Sequence, residues 1–109
     1  MSVYHSIRAA VLSKLEEALP ILRERFGVET IGLFGSVARG DENEHSDINI
    51  LYLFAEDRGN LSDFIGLQEY LEELFGREVR MVSIEYLDDD LRPYVKKDAL
   101  LFGLQQELI

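Results

Sequence analysis

The apolar positions of the chain change their spacing several times, and each change marks a predicted element. From Val3 to Phe26 they recur at helical spacing, which predicts a first helix with Ser2 as its N-cap. Because Pro20 lacks a backbone donor, it should kink or split this helix. Gly27 suits the C-terminal cap.

Short apolar runs bounded by turn residues predict three strands, which are Val28–Phe34, Asp47–Phe54 and Glu78–Val82. Between the second and third strands, Leu61–Phe75 is amphipathic with helical spacing and is closed by Gly76.

A last helical region is predicted from Ser83, as its N-cap, to about Asp98, with an interruption at Pro93. Residues Ala99–Phe102 fit either a short strand or the end of that helix. The order α-β-β-α-β-α predicts an α+β fold, in which helices cover a small mixed sheet. At this length we expect a single domain, residues 1–109.

Composition narrows the function classes. The N-terminus does not read as a signal peptide, no apolar stretch reaches the roughly 20 residues of a membrane span, and cysteine is absent. We therefore expect a cytoplasmic protein without membrane contact, disulfides or thiolate metal sites. The net charge is −10, from 11 basic and 21 acidic residues. The negative sign argues against direct nucleic-acid binding. It favours a partner protein with a basic surface, unless the charge serves solubility alone.

The segment between the first two strands carries the most specific signal. Gly35-Ser36 follows an apolar strand, and Ser46-Asp47-Ile48-Asn49 opens the next one after an acidic spacer. This pattern resembles the signature of the DNA polymerase beta-like nucleotidyltransferases, and within them the minimal nucleotidyltransferase (MNT) group. The resemblance covers nearly the whole chain and implies the polymerase beta-like nucleotidyltransferase fold.

The resemblance implies that a nucleotidyl group moves from ATP to an acceptor with the help of two Mg²⁺ ions. Gly35 would let the backbone approach the triphosphate. Ser36 would donate to a phosphate oxygen, or alternatively cap a short helix from Val37 to Arg39. Arg39 would pair with a phosphate, or brace Asp41 or Glu42 locally. Gly40 is predicted to end the short helix with positive φ.

The resemblance also places the metal carboxylates at Asp47, at position 49 and on a neighbouring strand, where Arg80 stands. Here position 49 is Asn49, so Asp47 is the only carboxylate among these three family positions. An amide oxygen brings no charge, and a guanidinium repels cations. We therefore expect a weak or absent metal site at Asp47, and doubtful binding of Mg²⁺ and ATP.

Two further expectations concern the charges around this site. Arg80 could pair with Asp47 across adjacent strands, since Val79 and Met81 are predicted to face the core. The loop acids Asp41, Glu42 and Glu44 could replace the missing ligands, but solvated loop charges are the simpler interpretation. His5, His45 and the run Asp88–Asp90 are also interpreted as solvent-facing.

Three functions compete at this stage. The first is an active nucleotidyltransferase that moves AMP from ATP to a protein partner. The second, which we favour, is a degenerate member that acts by binding, as an antitoxin of the HEPN-type RNase toxins with which the family is often encoded. The third, an antibiotic-modifying transferase, would need a second domain. A homo-oligomer stays possible, and the apolar end of the chain (Leu104, Leu108 and Ile109 beyond a self-packing Leu100 and Phe102) is a candidate interface.

Overall fold

A computed structural model describes residues 3–103 of the chain. The helices are α1 (Arg8–Phe26), α2 (Gly35–Arg39), α3 (Leu61–Phe75) and α4 (Arg92–Asp98). The strands are β1 (Val28–Phe34), β2 (Ile48–Phe54), β3 (Val79–Ser83) and β4 (Leu100–Gly103). The predicted α+β class with a mixed sheet is confirmed. None of the helices in this part of the chain is long and apolar enough to cross a bilayer.

The four strands form one sheet in the order β3-β2-β1-β4. Strand β1 is antiparallel to both β2 and β4, whereas β2 and β3 are parallel. A parallel pair needs a crossover connection, and α3 supplies it. Because β2 runs opposite to β1, the end of β1 and the start of β2 meet at the same end of the sheet.

Alternation along the strands divides the apolar residues between two faces. On one face, Ile48, Ile50 and Val79 are buried in a core that includes residues of α1 and α3. On the other face, Leu51 is buried with residues of the segment between β3 and β4. Since Val79 and Met81 both belong to the α1–α3 side, as predicted, the residue between them lies on the opposite face.

Helix α1 starts later than predicted, at Arg8 rather than Val3. The backbone N–H of Ile7 donates to a side-chain oxygen of Glu42 at 3.0 Å, which holds the preceding residues outside the helix. Pro20 does not split the helix, which is continuous from Arg8 to Phe26, so of the two predicted effects only a kink stays a prediction. Ser2 lies outside the described residues.

The predicted helix from Ser83 is also wrong in its first half. Ser83 is the last residue of β3, paired with Tyr52, and the chain then turns before α4 begins at Arg92. Pro93 lies in the first turn of α4 rather than interrupting a helix, since a proline there loses no hydrogen bond.

The alternatives for Ala99–Phe102 resolve in favour of a strand, because β4 pairs with β1. Leu100 and Phe102 pack against the main core, as expected for self-packing. Leu104 and the last residues, 105–109, lie outside the described part of the chain.

Candidate nucleotide and metal site

The two motif segments meet at one end of the sheet. Gly35 directly follows β1, and Asn49 in β2 pairs with Phe34, the last residue of β1. A Cβ atom built on Gly35 would lie 2.7 Å from Nδ2 of Asn49. The side chain of Asn49 therefore lies directly against the Gly-Ser turn, and the two segments form one site.

Arg80 belongs to the same site. It pairs with Asn49 in the parallel ladder between β2 and β3, and residues paired in this way project from the same face of a sheet. Arg80 is exposed. The guanidinium is thus carried by the strand position next to Asn49, and the family positions Asp47, Asn49 and Arg80 lie on one face at one end of the sheet.

The predicted ion pair between Arg80 and Asp47 is not formed. Asp47 precedes β2, where the N–H of the next residue, Ile48, donates to the carbonyl of Glu78 at 2.9 Å. Arg80 is level with Asn49 instead, about 7 Å further along the strand. Neither side chain takes part in an ion pair among residues 3–103. The strand register therefore separates the two charges that the sequence suggested as partners.

These residues do not fit the two Mg²⁺ ions that the family resemblance implies. Catalysis by two divalent ions requires several carboxylates around a small volume. The site offers one carboxylate from Asp47, one amide from Asn49 and the permanent cation of Arg80. Within residues 3–103, no three His, Asp or Glu side chains lie close enough together to hold a metal ion.

The loop acids are engaged elsewhere. Asp41 accepts a hydrogen bond from Arg39 at 3.0 Å. Glu44 lies 3.6 Å from His45, and both are exposed, as expected for solvated loop residues. His5 and the Asp88–Asp90 run are exposed as well, again as expected.

Glu42 is buried, with 7% of its surface exposed, which corrects the expectation of a solvated loop charge. Its carboxylate accepts hydrogen bonds from the hydroxyl of Tyr4, from the Ser6 hydroxyl at 2.7 Å and from the N–H of Ile7 at 3.0 Å. Burial alone would raise the pKa of Glu42, but the hydrogen bonds from Tyr4, Ser6 and Ile7 outweigh burial and hold that pKa below its usual value. Glu42 therefore fixes the N-terminal segment, and its carboxylate is not available as a metal ligand.

The Gly-Ser turn has a backbone conformation that favours glycine at its first residue. Gly35 has φ of 79°, a conformation that favours glycine, and Phe34 rather than Ser36 occupies the N-cap position of α2. The alternative in which Ser36 caps the short helix is therefore wrong, and within residues 3–103 no side chain caps α2 by a hydrogen bond. Gly40, with φ of 81°, ends α2 as predicted.

Arg39 makes the predicted local contact with Asp41, and the alternative of a phosphate contact stays a prediction. Arg39 donates to Asp41 at 3.0 Å and to Asp98, in the last turn of α4, at 2.7 Å. These hydrogen bonds from Arg39 to Asp41 and Asp98 raise the pKa of the guanidinium. Sequence reasoning missed Asp98, because it is 59 residues from Arg39 and belongs to no motif.

Arg77 is a second residue that sequence reasoning missed. Its guanidinium donates to the carbonyls of Asn43 and Ser46, both at 3.1 Å, and lies over the ring of Tyr4. These contacts fix the loop that leads into Asp47. Nothing in the local pattern around Arg77 signals this role.

Comparison with known proteins shows the family to which the chain belongs. The nucleotidyltransferase domain family matches residues 15–101, and the chain belongs to that family. The protein adenylyltransferase MntA of Thermococcus cleftensis is 44% identical over 79 residues, which are 72% of this chain and 79% of that protein. A Methanocaldococcus jannaschii protein, named as a candidate protein adenylyltransferase, is 38% identical over 103 residues, covering 90% of this chain and 95% of its own.

Two solved structures indicate to which group of the family the chain is most similar in fold. One, described as a candidate minimal nucleotidyltransferase, superposes with a TM-score of 0.69 at 38% identity, covering 84% of this chain and 92% of its own. The other is a toxin–antitoxin complex with AMP-PNP, in which the matched chain has a TM-score of 0.66 at 25% identity, covering 85% of this chain and 77% of that one. Within its family the chain is therefore a minimal nucleotidyltransferase.

Proposed function

We propose that this chain is a catalytically degenerate minimal nucleotidyltransferase, a cytoplasmic antitoxin that works by binding a HEPN-type RNase toxin. The observation that carries this proposal is the pairing of Arg80 with Asn49 on adjacent strands. A guanidinium beside an uncharged amide disfavours divalent cations through Coulomb repulsion, and one carboxylate cannot offset the dehydration of Mg²⁺.

Nucleotide binding without transfer is compatible with the same geometry. Gly35 keeps its positive φ, and the Ser36 hydroxyl is not used as a helix cap. Arg39 would exchange its carboxylate partners, Asp41 and Asp98, for a phosphate. The solved toxin–antitoxin complex with AMP-PNP supports a nucleotide role for this fold.

Charge supports a protein partner. The net charge of −10 attracts a basic protein surface and speeds its association. The similarity to a solved toxin–antitoxin complex supports a toxin as that partner. The HEPN class of the toxin rests on the family resemblance of the Gly-Ser and Ser-Asp segments.

The alternative is an active Mg²⁺-dependent transferase that moves AMP from ATP to the partner. The name of the Thermococcus cleftensis relative, a protein adenylyltransferase at 44% identity, favours this alternative. It would require ligands other than position 49 and position 80 to complete the metal site, and Asp41 and Glu42 are already engaged with Arg39 and with the N-terminal segment.

Co-expression with a HEPN-type toxin from the same organism separates the two functions. If the chain acts by binding, the unmodified chain and Asp47→Asn should restore growth equally, and the mass of the purified toxin should show no added AMP. Rescue that depends on Asp47, together with AMP on the toxin, would establish the active alternative. A matched surface variant, Asp89→Asn, controls for the loss of one charge.

A further inference from the structure

A cavity lies at the opposite end of the sheet from the Gly-Ser turn. It has a volume of about 710 Å³ and is bounded by the end of β2, the end of β3, the start of β1 and the turn into α3. Its walls include four aromatic side chains, Tyr52, Phe54, Phe64 and Tyr86. No motif of the sequence analysis falls there, and the nucleotide site does not use it.

Three of these aromatic rings form a connected group. The ring of Tyr52 lies 5.2 Å from that of Phe54 and 5.8 Å from that of Phe64, both in edge-on arrangements. Burial raises the pKa of Tyr52, although a hydrogen bond with Ser83 lowers it in part, so its hydroxyl stays neutral. A neutral aromatic surface attracts cations through the ring quadrupole.

The charges around the cavity are acidic. Its lining includes the carboxylates of Glu29, Glu56, Asp57 and Glu85. The cation among the lining residues, Arg58, is already engaged by Asp63, whose carboxylate accepts two of its hydrogen bonds at 3.1 Å and 3.0 Å. Arg58 also donates to the carbonyl of Arg25 at 3.1 Å. It is therefore held on the side of α1 and α3, paired with a carboxylate outside the cavity.

The rim carries exposed apolar surface that suits a protein contact. Tyr86 is 82% exposed and Leu61 is 73% exposed. Tyrosine is enriched among the residues that dominate binding energy at protein interfaces, and here it borders a concave, charged surface. A small free cation would leave this rim uncovered, whereas a side chain inserted from another protein would cover it.

We propose that this aromatic, acidic pocket receives a basic side chain, arginine or lysine, from a protein partner. The carboxylates supply charge complementarity, and Tyr52, Phe64 and Tyr86 supply aromatic contact for the cation and its aliphatic stem. That the partner is a toxin rests on the proposed function. The preference of the pocket for a basic side chain is independent of the proposed function, because the pocket uses neither nucleotide nor the Gly-Ser turn.

A labelled arginine–glycine repeat peptide tests the pocket without ATP or toxin, so the result is separate from the test of the proposed function. Fluorescence anisotropy should show binding, and the same peptide with citrulline in place of arginine should not bind. Amide chemical shifts should change around Tyr52 and Phe64. Binding that is retained by the citrulline peptide, or shift changes confined to another surface, would overturn the proposal.

Matched double variants distinguish binding in the pocket from general electrostatic attraction of the peptide to an acidic protein. Glu29→Gln/Glu85→Gln removes two charges in the pocket, and Glu16→Gln/Glu17→Gln removes two on the exposed side of α1. The pocket pair should weaken binding about tenfold, and the α1 pair less than about twofold. Tyr86→Leu, at an exposed position that does not carry the fold, should also weaken binding several-fold. Equal weakening by both glutamate pairs would contradict the proposal.

Discussion

Arg80 and Asn49 are direct neighbours in the parallel ladder between β2 and β3. Both differ from the acidic residues that the family signature implies, and the structure brings the two differences to one point beside the Gly-Ser turn. A single amide could still contribute an oxygen to a metal, but an amide next to a guanidinium adds repulsion to the loss of charge. The pair therefore matters more than either substitution alone.

Restoring the acids should recover chemistry only when both positions change. We expect no AMP transfer to the toxin from Asn49→Asp, because Arg80 stays beside it, and detectable transfer from Asn49→Asp/Arg80→Asp. The measurement is label transfer from α-labelled ATP in the presence of Mg²⁺, with Arg80→Asp alone as the control. Equal activity of Asn49→Asp and the double variant would show that Arg80 is no obstacle.

The contact between Gly35 and Asn49 predicts a specific stability effect. Gly35→Ala should lower the free energy of unfolding by about 1–2 kcal/mol because alanine is strained at the positive φ of this position. The contact of the new Cβ with Asn49 Nδ2, at 2.7 Å, should lower the free energy of unfolding further. Gly76→Ala is the matched control, since φ there is 65° and no atom lies within 4 Å of the added Cβ.

Urea unfolding measures this difference. Gly35→Ala should be more destabilising than Gly76→Ala, and Asn49→Ala should reduce the gap when combined with Gly35→Ala. Equal destabilisation at the two glycines would mean that Asn49 does not lie against the turn.

Glu42 predicts a pH-dependent contribution to stability. Because the hydrogen bonds from Tyr4, Ser6 and Ile7 hold its pKa below the usual value, its contribution is complete above about pH 4.3, the ordinary glutamate pKa. It is lost as the pH falls through the lowered pKa of the folded state. Glu42→Gln should therefore lower the free energy of unfolding by about 1–3 kcal/mol at pH 7, and by less in acid.

Chemical unfolding at pH 7 and in acid checks the Glu42 prediction. Glu44→Gln, two positions away in the same loop but exposed, should have little effect at either pH. A cost for Glu42→Gln that stays constant from pH 7 down into strong acid would refute the assigned role.

The pairing of Arg39 with Asp98 predicts an effect on nucleotide binding. If Arg39 turns to phosphate, Asp98→Asn removes a competitor for its guanidinium and should tighten binding of AMP-PNP about fivefold. Arg39→Ala should weaken it. Calorimetry gives both values, with Asp89→Asn as the charge-matched control; no change from either variant would assign Arg39 to bracing alone.

Local signals were enough to predict much of the fold. Helix α3 has the predicted bounds because Asn60 caps it, accepting the N–H of Asp63 at 2.8 Å, and Gly76 ends it with positive φ. Strand β1 is likewise an apolar run that ends at Gly35. In these elements the residues that define the boundaries are adjacent in the sequence.

Contacts between distant residues decided the rest. Helix α1 starts late because Glu42, 35 residues after Ile7, binds that backbone N–H. The Asp47–Arg80 ion pair is not formed because the strand register aligns Arg80 with Asn49. The sequence alone does not specify this register. The members of the candidate site were readable from the motif, whereas Asp98 and Arg77 contact it only through the tertiary fold.

Metal binding tests the degenerate site most directly. Titration of the purified chain with Mn²⁺, followed by the electron paramagnetic resonance signal of the free ion, should show no stoichiometric binding. Asn49→Asp/Arg80→Asp should remove free Mn²⁺ from solution under the same conditions. Tight binding of Mn²⁺ by the unmodified chain, abolished by Asp47→Asn, would contradict the account.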